Sequence, residues 1–498
     1  MDADLLALVE SNKQPDDVQA EHMRVLISSF TSEISVLDLE IESTITLLRE
    51  LQNRRDTRSK LVAGLKSALS PIRAVPVEIL AEIFLMSRDE ALAPFNYSLF
   101  DSKQPPLVLC HVSSQWRGVC LSDARLWDHI HVHSCTQMPP TATLTEIFKR
   151  SRMRPLDIQI SQTPLGGLFP VIMGAHNRVQ RSALRLTSED DISDLWSYPR
   201  DFPALTYFEL HITRKKQAPS MYRPVGLSLF KSAPLLRSFL VWSYPSSFNC
   251  SPGAVVWSQL TEMTLDIRID QLTALSIIVA CTHLEDCRIC FRPSQPGALL
   301  LPAAATTLPH LWRLRVFGRE GGEASPFFEG LTLPALTELL LSVQELSPQA
   351  LPNLYNRSRF RLKTLHFMHS MPFTVDGLAA FLNLTPSLEE LALEYFTLED
   401  ELFEALTYDR WFATPFELPK LRSLVLRDGQ ADPERDSDSL AAAEMAESFQ
   451  RYPGHLNRAF PSLEEVVVML GGNPFHDHVE KRLMRANGGV FTYERWED

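Results

Sequence analysis

Residues 203–210 read Pro203-Ala204-Leu205-Thr206-Tyr207-Phe208-Glu209-Leu210, one copy of the pattern Pro-x-Leu-x-x-Leu-x-Leu whose recurrence decides the fold. The pattern returns as Pro234-Leu235-Leu236-Arg237-Ser238-Phe239-Leu240-Val241. Eight further copies follow, with apolar triplets at Leu260/Met263/Leu265, Leu284/Cys287/Ile289, Leu311/Leu314/Val316, Leu336/Leu339/Leu341, Leu362/Leu365/Phe367, Leu388/Leu391/Leu393, Leu421/Leu424/Leu426 and Leu463/Val466/Val468. Across the six intervals from Leu236 to Leu388 the first leucines lie 24 to 27 residues apart, too regular for chance.

Each copy predicts one short strand, since residues at alternate positions share a face. Apolar helical stretches at 272–280, 375–382, 398–406 and 441–449 fall between copies. A single strand–helix unit cannot bury its apolar side, so stacked neighbours bury it for one another. The period and triplet match the leucine-rich repeat, without the asparagine that usually follows the strand. Proline precedes the first leucine by two residues in seven of the ten copies and fixes the corner into the strand. Weaker copies at 126–131, 155–160 and 182–186 are expected to begin the stack. The acidic stretch 431–438 reads as a surface loop.

The predicted fold class is α/β: a parallel-strand solenoid over residues 134–470, with a cap at 471–498. Side chains between the last two triplet positions, and those two residues to either side, are expected on its concave face. Tyr207, His211, Trp242, Arg288, Arg313, Arg315, Phe317, His366, Glu394 and Arg427 are the candidate contacts for a protein target. Tryptophan, tyrosine and arginine are the usual anchors of protein interfaces.

Upstream lies a heptad pattern at 25–69, after a tail at 1–24. One series runs Ile27, Ile34, Ile41, Leu48, Arg55, Val62, Leu69; its companion runs Phe30, Leu37, Thr44, Leu51, Arg58, Leu65. Ten of these thirteen positions are apolar, a 3.5-residue seam expected of a coiled coil. The segment is a candidate for self-association. The alternative is an amphipathic helix lying on its own protein.

Between the heptads and the repeats, residues 70–84 read Ser70-Pro71-Ile72-Arg73-Ala74-Val75-Pro76-Val77-Glu78-Ile79-Leu80-Ala81-Glu82-Ile83-Phe84. Residues 109–117 then place Leu109, Val112 and Trp116 at helical spacing, and Leu126-Trp127 closes the block. This segment, 70–133, resembles the F-box of fungal F-box proteins: a Pro-x-Glu-Ile-Leu helix, a Val-Cys-x-x-Trp-Arg-type helix, here with Ser113 where cysteine is frequent, then Leu-Trp. The resemblance implies a small all-α domain docking the Skp adaptor of a cullin-based ubiquitin ligase. On matching positions it assigns that contact to Pro76, Ile79, Leu80, Ile83, Phe84, Leu109, Val112 and Trp116. The connection from Met86 to Pro106 is longer than the tight one of the family. That favours the alternative, a repeat scaffold without a ligase link.

Composition excludes several classes. The chain has 498 residues and a formal charge of −13, against a general nucleic-acid binder. It has no apolar run of 18 residues and starts Met1-Asp2-Ala3-Asp4 without a basic signal region. Seven scattered cysteines suit a reducing compartment, so a soluble cytoplasmic or nuclear protein is expected. No phosphate loop, Gly-x-Ser-x-Gly elbow or His-Glu-x-x-His motif occurs. A metal-dependent enzyme would have to use His129, His131 and His133, which alternate on one side of a strand, but no motif supplies carboxylates. Cys287 and Cys290 are expected on opposite strand faces, unable to share an ion. The reading is therefore a non-catalytic protein with no metal or cofactor.

Overall fold

In the computed structural model the described residues are 13–92, 97–132, 141–161, 168–186, 201–213, 225–226, 232–244, 248–249, 255–267, 269–292, 305–318, 323–368, 375–396, 402, 406, 418–428, 445, 462–470 and 491–495. The chain divides into two compact units, Met1–Leu80 and Ala81–Asp498.

The first unit is dominated by helix α1, Asp17–Ala68, with no buried residue. It starts eight residues before the heptad pattern. Asp16 caps it by accepting the Gln19 N–H at 2.7 Å, while the Gln19 side chain accepts the Asp16 N–H at 3.1 Å. This reciprocal box satisfies two N–H groups that a helix start leaves open. The boundary between tail and helix therefore falls at residue 16 rather than 24. Helix α2, Val77–Leu92, follows Pro76.

In the second unit α2 is followed by the short helices α3, Leu107–Cys110, and α4, Ser114–Ser122. Ser113 caps α4, its hydroxyl accepting the Trp116 N–H at 3.1 Å. Leu126 and Trp127 are fully buried, and the Trp127 indole donates to the Cys120 carbonyl at 2.7 Å.

Among the described residues a sheet of fourteen strands, all parallel to their neighbours, follows in chain order. The strands are β1 His129–Val132, β2 Leu156–Ile160, β3 Val179–Leu186, β4 Tyr207–Thr213, β5 Ser238–Tyr244, β6 Glu262–Asp266, β7 Asp286–Phe291, β8 Arg313–Gly318, β9 Glu338–Ser342, β10 Thr364–Met368, β11 Glu390–Phe396, β12 Ser423–Asp428, β13 Glu465–Leu470 and β14 Phe491–Arg495. Each pairs only with the strands before and after it in sequence, the connectivity of a solenoid. Of the thirty triplet residues, twenty-nine are buried and Leu463 is half-buried, so the repeat pattern is the core.

The corner before each strand carries a second regularity. The residue after the first leucine donates its N–H to the carbonyl of its counterpart one unit back. The series runs without a break from Thr206 (to Gln180, 2.8 Å) through Arg237, Thr261, Glu285, Trp312, Thr337, Lys363, Glu389 and Arg422 to Glu464, at 2.7 to 3.0 Å. A backbone N–H at a corner needs an acceptor, and here the neighbouring unit supplies it.

The sheet departs from the expected boundaries at both ends. It opens at His129, within the weak copy expected at 126–131 but inside the segment assigned to the F-box-like domain, because Ile130 and Val132 alternate into the core. It ends at Arg495, because Phe491–Arg495 continues the ladder with Val466 opposite Phe491. The expected cap at 471–498 thus contributes a strand.

Helices Gln271–Ala280 and Val375–Leu382 cover the sheet as expected, and Thr141–Arg150, Leu168–Gly174, Ser325–Glu329 and Ala350–Ser358 join other strands. From the stretches 398–406 and 441–449 the described residues Leu402, Leu406 and Met445 are helical and buried. The loop at 431–438 and His133 lie outside the described residues. No helix among the described residues is long and apolar enough to cross a membrane.

Candidate functional site

Two surfaces carry the residues singled out from the sequence. The first is on and beside α2. Its apolar residues form two adjacent strips rather than one face. Leu80 and Phe84, four apart, are fully buried, and the Trp116 ring packs on Phe84 with centroids 4.8 Å apart. Leu80 and Phe84 are therefore core residues, unavailable to a partner, which corrects their assignment to an adaptor contact. Ile79 and Ile83 are 52% and 44% exposed and continue along the helix to Met86, 72% exposed. Pro76 is exposed, Leu109 and Trp116 half-buried, and Val112 is 58% exposed. Val77, Met86 and Leu121 are exposed apolar residues that the sequence reading missed. The spacing Ile79-Ile83-Met86, at i, i+4 and i+7, was the available signal.

The long connection after α2 is pinned to the sheet. Tyr97 and Leu99 are buried; the Leu99 N–H donates to the His131 carbonyl at 3.0 Å and the Tyr97 hydroxyl to the Pro105 carbonyl at 2.8 Å. A buried ionic node lies close by. Asp128 accepts Arg88 Nη1 at 3.0 Å and Arg154 Nε at 2.6 Å, and lies 2.6 Å from His129 Nδ1. Burial works against the Asp128 charge, but His129, Arg154 and Arg88 outweigh it and hold the carboxyl below its ordinary range. His131 sits beside this node, edge-on to Tyr97 at 5.5 Å. Burial, with the His129 and Arg88 charges adding, pushes its imidazole down to about 4.

The second surface is the open face of the sheet, where the residues between triplet positions stand in rows. Two clusters form. In the first, Arg181 lies over the Tyr207 ring at 4.0 Å, His211 Nε2 is 2.9 Å from Glu209, and His211 stacks on Trp242. The hydrogen bond from His211 outweighs burial and lowers the Glu209 carboxyl, while burial and Glu209 raise the Tyr207 phenol. In the second, Arg288 stands directly opposite Arg315 on adjacent strands and lies over the Phe317 ring at 4.2 Å.

These arginines are not open cations. Arg288 pairs with Asp266 at 3.3 Å, Arg315 with Asp286 at 2.8 Å, and Arg313 bridges Asp286 at 3.3 Å and Glu338 at 2.5 Å. Asp286 and Glu338 stand in the same row as Arg313 but were not among the candidates named from the sequence, and neither were Arg181 and Arg185 on β3, a strand read only as a weak copy of the pattern. Glu394 and Arg427 pair with each other at 3.4 Å. His366 stands between Leu340 and Ala392, apart from both clusters.

Among the described residues no group of three or more His, Cys, Asp or Glu side chains is placed to hold a metal ion. Cys287 and Cys290 have opposite strand parity as expected, but both are fully buried, Cys290 opposite Phe317. No protein-family model and no curated protein matches the chain.

Proposed function

We propose that this chain is the substrate-receptor subunit of a Skp–cullin–F-box-type ubiquitin ligase, acting in the cytoplasm or nucleus without catalytic groups of its own. The adaptor docks on the exposed residues of the helical segment, Ile79, Ile83, Met86 and Val112, while Leu80, Phe84 and Trp116 hold that segment together. A target protein docks on the open face of the repeat sheet. Ubiquitin transfer is then promoted by proximity alone.

The observation that carries the reading is the order of parts in one stretch of chain. A Pro-initiated helix with an exposed apolar strip, a capped Trp-bearing helix and a buried Leu-Trp turn lead directly into the first repeat strand. On the sheet, the stacked His211–Trp242 pair and the Arg288–Phe317 pair offer aromatic and cationic anchors for a partner.

The test is co-purification of the full chain with the Skp adaptor, alongside a variant carrying Ile83→Asp and Val112→Asp. Stoichiometric capture by the wild type, lost in an equally stable variant, is expected. A folded wild type that captures no adaptor overturns the reading. The alternative, a repeat scaffold, is favoured by one observation: the Leu99 N–H donates to the His131 carbonyl and the Tyr97 ring packs edge-on to His131, tying the connection to β1 in the role of a cap on the sheet edge.

A further inference from the structure

Helix α1 presents an apolar seam to solvent over its whole length. Its seam residues Ile27, Phe30, Ile34, Leu37, Ile41, Leu48, Leu51, Val62 and Leu65 are each between 45% and 67% exposed, and no residue of the helix is buried. Fifty-two residues at 1.5 Å per residue make a rod about 78 Å long. An isolated helix gains little from propensity alone, and a stripe of this length requires a covering surface.

The charges say what covers it. Residues 17–50 hold seven acidic and two basic side chains; residues 51–68 hold five basic and one acidic. The helix is therefore negative in its first two thirds and positive in its last third. Two identical helices side by side and parallel would set acid against acid, with Glu33 at a flanking position facing Asp38 of the next heptad. Turned end for end, the acidic part of each lies along the basic part of the other.

The interruptions of the seam fit the same arrangement. With Ile27 opposite Leu65, Phe30 opposite Val62 and Ile41 opposite Leu51, the two seam arginines fall opposite the acid-flanked stretch. Arg58 then faces Ile34 and Arg55 faces Leu37, between the flanking residues Glu33, Asp38 and Glu40. The pair centres between Thr44 and Leu48. A charged residue in an otherwise apolar seam specifies register at a cost in stability, and here only the antiparallel register supplies its counter-charge.

We propose that the covering surface is a second copy of this chain, and that the two α1 helices pair antiparallel through this seam. The proposal does not rest on the ligase reading.

Light scattering coupled to size-exclusion chromatography on the full chain tests it, with two charge-reversed variants. One carries E33K, D38K and E40K; the other carries R54E, R55E and R58E. All six side chains are exposed, so each variant keeps its helix content by circular dichroism. Wild type is expected as a dimer. Each variant alone is expected to dissociate with a constant raised about tenfold or more, because like charges then face each other along the pair. An equimolar mixture of the two variants is expected to dimerise again. A wild type that is monomeric at tens of micromolar overturns the proposal. So do single variants that dimerise as tightly as wild type, because a parallel pair already sets like against like and would not respond to the reversal.

Discussion

The His211 imidazole lies flat on the Trp242 indole, ring centroids 4.1 Å apart and planes 14° apart, on the adjacent strands β4 and β5. The strand register puts the two residues directly opposite each other, and Glu209 holds the imidazole from its edge at 2.9 Å. Stacked pairs of this kind contribute about 0.5–1.5 kcal/mol beyond the area they bury. A double-mutant cycle of His211→Ala and Trp242→Ala is expected to give a coupling near 1 kcal/mol from urea denaturation. Strict additivity of the two substitutions would show that the stack contributes nothing.

The two strips of α2 predict opposite outcomes from the same substitution three residues apart. Leu80→Asp places a carboxylate in a fully buried site and is expected to cost roughly 3–5 kcal/mol. Ile83→Asp, at an exposed site, is expected to stay within about 0.5 kcal/mol of wild type. Thermal unfolding of both variants checks this, and equal losses would mean that the helix is rotated from the orientation described.

His131 makes stability depend on pH in a defined window. Its folded pKa of about 4 lies below the ordinary value of 6.5. Below pH 6.5 the unfolded chain takes up a proton that the folded chain refuses, so stability is full above 6.5 and falls as pH drops toward 4. The loss reaches roughly 3 kcal/mol. His131→Gln removes this titration, and the other groups cancel in the difference between the proteins. The stability of wild type relative to His131→Gln, measured by urea denaturation from pH 7 to pH 4, is expected to decline across that range. A flat difference would mean that the imidazole is solvated.

Asp286 neutralises a crowded patch of positive charge. It accepts from Arg315 and Arg313, while Arg288 stands opposite Arg315. Asp286→Asn leaves three arginines on two neighbouring strands and is expected to cost about 1–3 kcal/mol. The cost grows at low ionic strength, where repulsion is least screened. Urea midpoints in low and high salt measure it; a salt-independent change would point to lost packing instead of charge.

The repeats were legible because each triplet residue does the same job in the same place. Leu314, Leu339 and Leu365 sit opposite one another in register, so the pattern in sequence is the pattern in space. The sheet ends were less legible, because 126–131 is only a weak copy of the pattern and Phe491–Arg495 alternates without a leading leucine. On α2, the spacing of Ile79, Leu80, Ile83 and Phe84 announces a wide apolar surface but not which half is covered. That depends on Trp116, whose packing on Phe84 is set by a cap more than twenty residues downstream. The open face was half legible. Spacing identified which side chains face outward, but the pairing of Arg288, Arg313 and Arg315 with Asp266, Asp286 and Glu338 joins residues whose proximity only the strand register fixes.

The corner hydrogen bonds give the molecule an unusual tolerance. Each corner N–H needs only some equivalent corner carbonyl one layer away, and does not depend on which residue supplies it. If residues 312–336 were excised, Thr337 would meet Glu285 in the geometry Trp312 now occupies, and β9 would meet β7 as β8 now does. The number of layers is thus a variable that gene duplication or loss can change one unit at a time, lengthening or shortening the recognition surface without redesigning the rest.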